Sequence, residues 1–277
     1  MTSSTPDAER LTQYVDAWKS AVDDTVALLR SLDEADWSRP TDLAGWDVKA
    51  VAAHLAHLES ELAGNEQERV EVAEAPHIVS PMGFYTEMGP LARREWPTER
   101  IVDELEQSAA TRLAELRADP PTDGSGAPPR TPGGIGWDWN TLLSNRVVDV
   151  WMHEQDIRRA VGRPGGMDSP GAEHTVSVFT RGFGYTVGKR VAPPAGTTVA
   201  LEVTGLRPVH LTLEIGDDGR ARPVAPPPDA PTVRLTMDLE TYVVLAGGRR
   251  DPADVQVAIA GDEELGRRVL AAMAVTP

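Results

Sequence analysis

The stretches RVVDVWMHEQDIRRAVG (residues 146–162) and GWDVKAVAAHLAHLE (residues 45–59) decide the reading of this chain. Each has the apolar spacing of a helix, and each sets metal-ligating residue types on a largely apolar face. In the first, Asp149, His153 and Asp156 fall at i, i+4 and i+7, so all three project from one side. In the second, His54 has Val51, Leu55 and Leu58 at i−3, i+1 and i+4, the stripe a helix buries. An inward-facing histidine or carboxylate is costly unless something pairs with it. A divalent cation held by His54, Asp149 and His153 satisfies all three, and three protein ligands leave a coordination position open for chemistry. A plainer reading stands beside it. An Asp-x-x-x-His pair can bond to itself, and a buried histidine can be satisfied by one carboxylate or a backbone carbonyl. His57 has Ala53, His54, Ser60 and Glu61 as helical neighbours, a more polar surface, and is left outside the ligand set. His77, His174 and His210 lack a helical partner at ligand spacing and read as surface or loop residues.

The flanking sequence extends this into a helical domain. Leu11, Val15, Trp18, Val22, Val26 and Leu29 recur at helical spacing and predict a helix over 7–32. Trp37, Pro40 and Gly45 then mark a loop. The second helix starts near Asp47, a suitable cap, and ends by Gly64. Residues 76–97, with the GFYTEMGP turn, read as irregular, and a third helix runs over about 98–117 with Ile101, Leu105, Leu113 and Leu116 inward. PPTDGSGAPPRTPGGIGW (residues 120–137) is too rich in Pro and Gly for a regular element, and a loop of that length is usually functional or disordered. The fourth helix, about 139–161, carries Asp149 and His153. Four helices with two long crossings fit a bundle, whose metal sites are built from facing side chains.

After GRPGG (162–166) the pattern changes. One helical stretch near 172–190 precedes TTVALEVTG (197–205), VHLTLEI (209–215) and TVRLTMD (232–238), which alternate as strands or are rich in β-branched residues. A short helix (239–246), a strand (255–260) and a last helix (263–272) complete an α+β domain. The expected division is therefore 1–165 and 166–277, an α bundle followed by a smaller α+β domain.

Composition removes several function classes. With 40% hydrophobic and 25% charged residues the chain has the balance of a globular protein, long enough for two domains. A net charge of −16 argues against a nucleic-acid partner, which requires clustered Lys and Arg. The one local basic cluster, Arg158, Arg159 and Arg163, reads as favourable charge at a helix C-terminus. No cysteine occurs, so a disulfide, a thiolate zinc site and a cysteine nucleophile are excluded. A thiol taking part in the chemistry must arrive as a separate molecule. The first residues lack the basic start and apolar core of a signal peptide, and no apolar run is long enough for a bilayer. The expectation is a cytoplasmic protein with no membrane partner.

The residues Asp36-Trp37, Pro40-Thr41, Gly45-Trp46-Asp47-Val48 and His54-Leu55 resemble the N-terminal domain of the mycothiol-dependent maleylpyruvate isomerase family. So does the run Asp149-Val150-Trp151-Met152-His153-Glu154-Gln155-Asp156-Ile157-Arg158. That family belongs to the DinB-like four-helix bundle superfamily of actinobacterial and related metalloenzymes. The chain from Thr232 through Leu245-Ala246-Gly247-Gly248-Arg249 to Ala260-Gly261-Asp262 resembles the sterol-carrier-like α+β second domain found in the same family. The resemblance implies a divalent metal, most often zinc, on a helix-two His and a carboxylate-x-x-x-His pair of helix four. Those positions match His54, Asp149 and His153. The family pattern has Glu where this chain has Asp149, a carboxylate one methylene shorter. The resemblance also implies mycothiol as a low-molecular-weight thiol cosubstrate and a small electrophilic substrate.

Around these ligands, Asp156 suits two roles, orienting His153 through its free N–H or forming a salt bridge to Arg159 or Arg112. Glu154 is expected to face solvent or to stand at the mouth of the site. Trp137, Trp139 and Trp151 read as pocket walls or plain core. Arg249 and Arg250, in a Gly-Gly-Arg-Arg turn, suit a substrate carboxylate but also an ordinary solvated turn, and no catalytic side chain is assigned. Two jobs fit the metal. It can hold a thiol as thiolate, for cis–trans isomerisation or S-transfer, or it can activate water for hydrolysis. A non-catalytic alternative remains, in which a metal-stabilised bundle accompanies an apolar-ligand site in the C-terminal domain.

Overall fold

The computed structural model describes residues 6–276. The chain forms two compact units that meet between His174 and Thr175. The first unit holds α1 (Asp7–Arg30), α2 (Val48–Leu62), α3 (Pro81–Ala92), α4 (Thr98–Ala118), α5 (Trp139–Val161) and the start of α6 (Pro170–Tyr185). The second holds the remainder of α6, β1 (Thr198–Thr204), β2 (Val209–Ile215), β3 (Ala221–Pro223), β4 (Val233–Asp238), α7 (Leu239–Ala246), β5 (Ala258–Gly261) and α8 (Glu263–Ala271).

In the first unit α1 lies against α5 and α4, while α2 lies against α4, α3 and α5. The buried stripe of α1 is the predicted one: Leu11, Val15, Trp18, Val22, Val26 and Leu29. Asp47 caps α2, its carboxylate accepting from the Ala50 N–H at 2.8 Å, as a residue held outside the helix with a short acceptor does. Gly162 ends α5 in the left-handed conformation, φ +67°, which a residue without Cβ adopts without strain. Four long helices thus build the bundle.

Three expectations are corrected here. Residues 81–92 are helical, not irregular. Ser80 caps this segment and Pro81 stands at its first turn, where its missing N–H costs nothing. The glycines that suggested a turn serve close packing instead: a Cβ at Gly89 would lie 2.6 Å from His57 Cβ. On α4, Leu113 is only half-buried, and the inward position beside it is taken by Arg112. Glu154, expected at the surface, is fully buried. α5 is central, with every residue from 146 to 157 buried except Asp149. The loop after it folds back so that a Cβ at Gly166 would meet the Glu154 carboxylate at 2.8 Å. Glu154 accepts from Arg158 Nε at 2.7 Å, and burial pushes its carboxyl up to about 7.

The second unit is a five-stranded sheet of order β3-β2-β1-β4-β5. β1 and β4 are parallel and pair Val199 with Val233, Leu201 with Leu235 and Val203 with Met237; the other pairings are antiparallel. These side chains are buried on one face, the period-two pattern of a sheet with one covered side. The short edge strand β3 has no alternation long enough to read from sequence. The strand expected over 255–260 is shorter, because Pro252–Asp254 forms a helical turn and pairing starts at Ala258. The architecture is an α bundle followed by an α+β unit. Among the described residues no helix is long and apolar enough to cross a membrane.

Candidate metal centre

His54 projects from the second turn of α2, and Asp149 and His153 from successive turns of α5. Their packing brings one ligand atom of each within 4.8 Å of the others. His54 Nε2 lies 3.8 Å from Asp149 Oδ2, and His153 Nε2 lies 3.6 Å from Asp149 Oδ1. A tetrahedral ion with bonds near 2.1 Å needs donor separations of about 3.4 Å; the His153–Oδ1 edge is close to this, while the His54 distance runs to the other carboxylate oxygen. Both histidine side chains are buried while that of Asp149 is 23% exposed, so the cluster opens towards its carboxylate. The set of two imidazoles and one carboxylate without thiolate is one that catalytic zinc centres use.

The electrostatics suit a cation. Burial pushes the His54 imidazole below its ordinary value, against the pull of Asp149, and so favours the neutral, ligating form. Burial alone would raise the Asp149 carboxyl, but Arg146 and His153 outweigh it and hold it well below the usual range. His153 Nδ1 lies 3.0 Å from Asp156 Oδ2, which directs its Nε2 towards the cluster. Asp156 also accepts from Arg159, so the two roles set out for it coexist. His54 has no such support: its Nδ1 is buried without a partner among the described residues. Its ring is held by the indole of Trp46, with centroids 4.9 Å apart.

Trp46 is one of several residues the spacing argument passed over. It also lies 6.0 Å from the His153 ring and donates from Nε1 to Glu87 Oε1 at 2.5 Å. Glu87 is 3.0 Å from His77 Nε2. Together with Thr41, Lys49, Pro90 and Arg94, Trp46 and Glu87 line a groove of about 580 Å³. The three tryptophans weighed as pocket walls do not line it; Trp151 is fully buried and donates to the Gly166 carbonyl at 3.1 Å.

Beneath Asp149 lies a second group that was missed, the fully buried Arg146 and Glu59. Arg146 donates to Glu59 through Nε and Nη2 at 3.0 and 2.8 Å, and to Asp149 Oδ2 through Nη1 at 2.8 Å. Arg112, weighed as a partner for Asp156, instead donates to Glu59 Oε2 at 2.8 Å, and Trp18 Nε1 donates to Oε1 at 2.9 Å. The signal was present in the sequence. Glu59 follows Leu55 by four residues and Arg146 precedes Val150 by four, so both interrupt an apolar stripe. The basic cluster is likewise more specific than a helix-end effect: Arg158 pairs with Glu154, Arg159 with Asp42 and Asp156, and Arg163 with Asp36.

The remaining histidines stay outside the cluster. His57 is buried rather than polar-faced, because α3 covers it, and Arg93 Nη1 lies 3.2 Å from its Nδ1. His174 is half-buried on α6, 2.9 Å from Ser144 Oγ. His77 lies in a loop and His210 is exposed on β2 beside Glu202. Burial, and then Arg93 and His54, pull the His57 imidazole down to about 4. Its folded value is below the ordinary 6.5, so between these the unfolded chain binds a proton that the folded chain refuses. Its contribution to stability is complete above pH 6.5 and is lost as pH falls towards 4, by up to about 3 kcal/mol. Urea unfolding at pH 7 and pH 4.5 should show a clearly smaller pH dependence for His57→Gln than for the wild type. Equal dependence in the two proteins would refute this.

Residues 18–158 match the family model described as the mycothiol maleylpyruvate isomerase N-terminal domain, and residues 173–268 match that family's C-terminal domain. Two crystal structures of a mycothiol-dependent maleylpyruvate isomerase, one of a histidine-to-alanine variant, share the fold. The variant aligns with a TM-score of 0.53 at 20% identity, and the other with 0.52 at 19%. Each alignment covers 92% of this chain and 93% of the other. No functionally curated protein matches the chain in sequence.

Proposed function

This chain belongs to the mycothiol-dependent maleylpyruvate isomerase family, and from that premise we propose that it is a metal- and thiol-dependent isomerase. Its substrate is a small acid with an electron-poor cis double bond, of the maleylpyruvate type. The convergence of one ligand atom each from His54, Asp149 and His153 within 4.8 Å carries this reading. The lack of any cysteine in the chain supports it, since a nucleophilic sulfur must then come from a separate thiol, for which the family suggests mycothiol.

His54, Asp149 and His153 would hold the ion, with zinc the best match to two imidazoles and a carboxylate. When bound, the metal would hold the thiol sulfur as thiolate, the form that adds to an electron-poor double bond and leaves after rotation about it. The protein's own part is preparatory. Burial keeps His54 in its neutral form, Asp156 fixes the orientation of His153, and Trp46 shields both imidazoles. The exposed edge of Asp149 leaves the approach for thiol and substrate.

The test is an isomerisation assay with zinc-loaded protein, mycothiol and maleylpyruvate. Turnover to the trans isomer should need all three, with the thiol recovered unchanged. Turnover without thiol would point to water activation, and a stable thioether product to S-transfer; either would displace the isomerase reading.

A further inference from the structure

Arg146 is fully buried, a costly place for a guanidinium unless every partner is in place. Its Nε and Nη2 both donate to Glu59 Oε1, which leaves Nη1 on Asp149 Oδ2 at 2.8 Å. The fork is planar, so one nitrogen cannot turn without moving the others. Glu59 is in turn pinned by Trp18 and Arg112. The position of Arg146 Nη1 is therefore set by residues from four helices: α1, α2, α4 and α5.

Asp149 presents two oxygens to the cluster. Oδ1 lies 3.6 Å from His153 Nε2, and Oδ2 lies 3.8 Å from His54 Nε2. A carboxylate so placed can ligate an ion through one oxygen or both. The geometry points to Arg146 as a positioning residue that occupies Oδ2 and confines Asp149 to ligation through Oδ1. This rests on the metal reading given under Proposed function and deepens it. With Oδ2 engaged, the protein supplies three donor atoms instead of four, and a coordination position is kept for an incoming sulfur. Arg146 also sets its own positive charge against the ion, so it lowers metal affinity while preserving that vacancy. Core stability alone would be served by Glu59 with Arg112 and does not require a nitrogen on Asp149.

The test uses the full chain loaded with zinc or cobalt(II). Zinc X-ray absorption of the wild type should show two imidazole nitrogens and a single carboxylate oxygen at about 2.0–2.2 Å. Two carboxylate oxygens at that distance would overturn the proposal, whatever the variants do. In Arg146→Met, Glu59 keeps Arg112 and Trp18, so the buried carboxylate stays paired. Its cobalt(II) form should show weaker visible bands than wild type, because the coordination number rises, and should bind mycothiol about 10–100-fold more weakly. Arg146→Lys returns a donor to Oδ2 and should restore the wild-type bands. Glu59→Gln disturbs the same buried group but leaves that donor, and should lower thermal stability without changing the bands. Unchanged bands in Arg146→Met, or equal changes in Arg146→Met and Glu59→Gln, would overturn the positioning role while leaving the metal reading intact. A wild-type chain that takes up neither metal would defeat both.

Discussion

Alanine at His54 or at His153 should leave the purified protein without metal, while the wild type carries about one equivalent of a divalent ion. Each substitution takes one of three donors. Loss of an outer partner alone typically costs 10–100-fold in affinity, so loss of a ligand should exceed ~100-fold. The two variants should behave alike, because neither the α2 donor nor the α5 donors can close the site alone. His174→Ala provides the control: its ring bonds to Ser144, outside the cluster, and its metal content should match the wild type. Elemental analysis alongside circular dichroism makes the comparison, since a folded but metal-free variant separates ligand loss from unfolding. Full metal content in either His54→Ala or His153→Ala would remove that residue from the site.

The second large effect concerns stability. Glu59→Ala removes the one carboxylate that Arg146 and Arg112 share, and leaves a buried guanidinium uncompensated. Breaking a buried ion pair on one side costs about 3–5 kcal/mol, far more than the same pair is worth against a well-packed apolar replacement. Burial alone would raise the Glu59 carboxyl, but Arg146 and Arg112 outweigh it and keep it ionised, so the charge is part of the native core. For a unit of this size the midpoint of thermal unfolding should fall by roughly 6–20 °C. The comparison belongs in metal-free protein, where loss of ligation cannot add to the change. A fall of less than about 1 kcal/mol would mean that water reaches the pair and that the four-helix anchor is loose.

What could be read in advance follows from range. The helices and most strands are local patterns, and Leu11 to Leu29 or Val199 to Val203 declare themselves by period alone. α3 did not, because Gly83, Gly89 and Pro90 are turn residues in isolation; only the contact of Gly89 with His57 shows why a helix there needs so little side chain. The candidate cluster was legible since i, i+4 spacing on one helix and a histidine on an apolar stripe are both local. Their surroundings were not. Arg146 reaches Glu59 across 87 residues and Arg112 reaches it across 53, and spacing within one helix says nothing about such partners. Glu154 shows the same limit from the other side: it was expected at the surface, and the returning Gly166 loop packs against its carboxylate in the buried structure.

The proposed open metal position that takes a thiol sulfur can be observed without knowing the substrate. Cobalt(II)-loaded wild-type protein should be titrated with mycothiol and followed in the near ultraviolet. A sulfur-to-cobalt charge-transfer band that saturates at one equivalent should appear, and should be absent from His153→Ala. If mycothiol binds without that band, or displaces no coordinated solvent, the sulfur does not reach the metal and the metal–thiol mechanism is wrong.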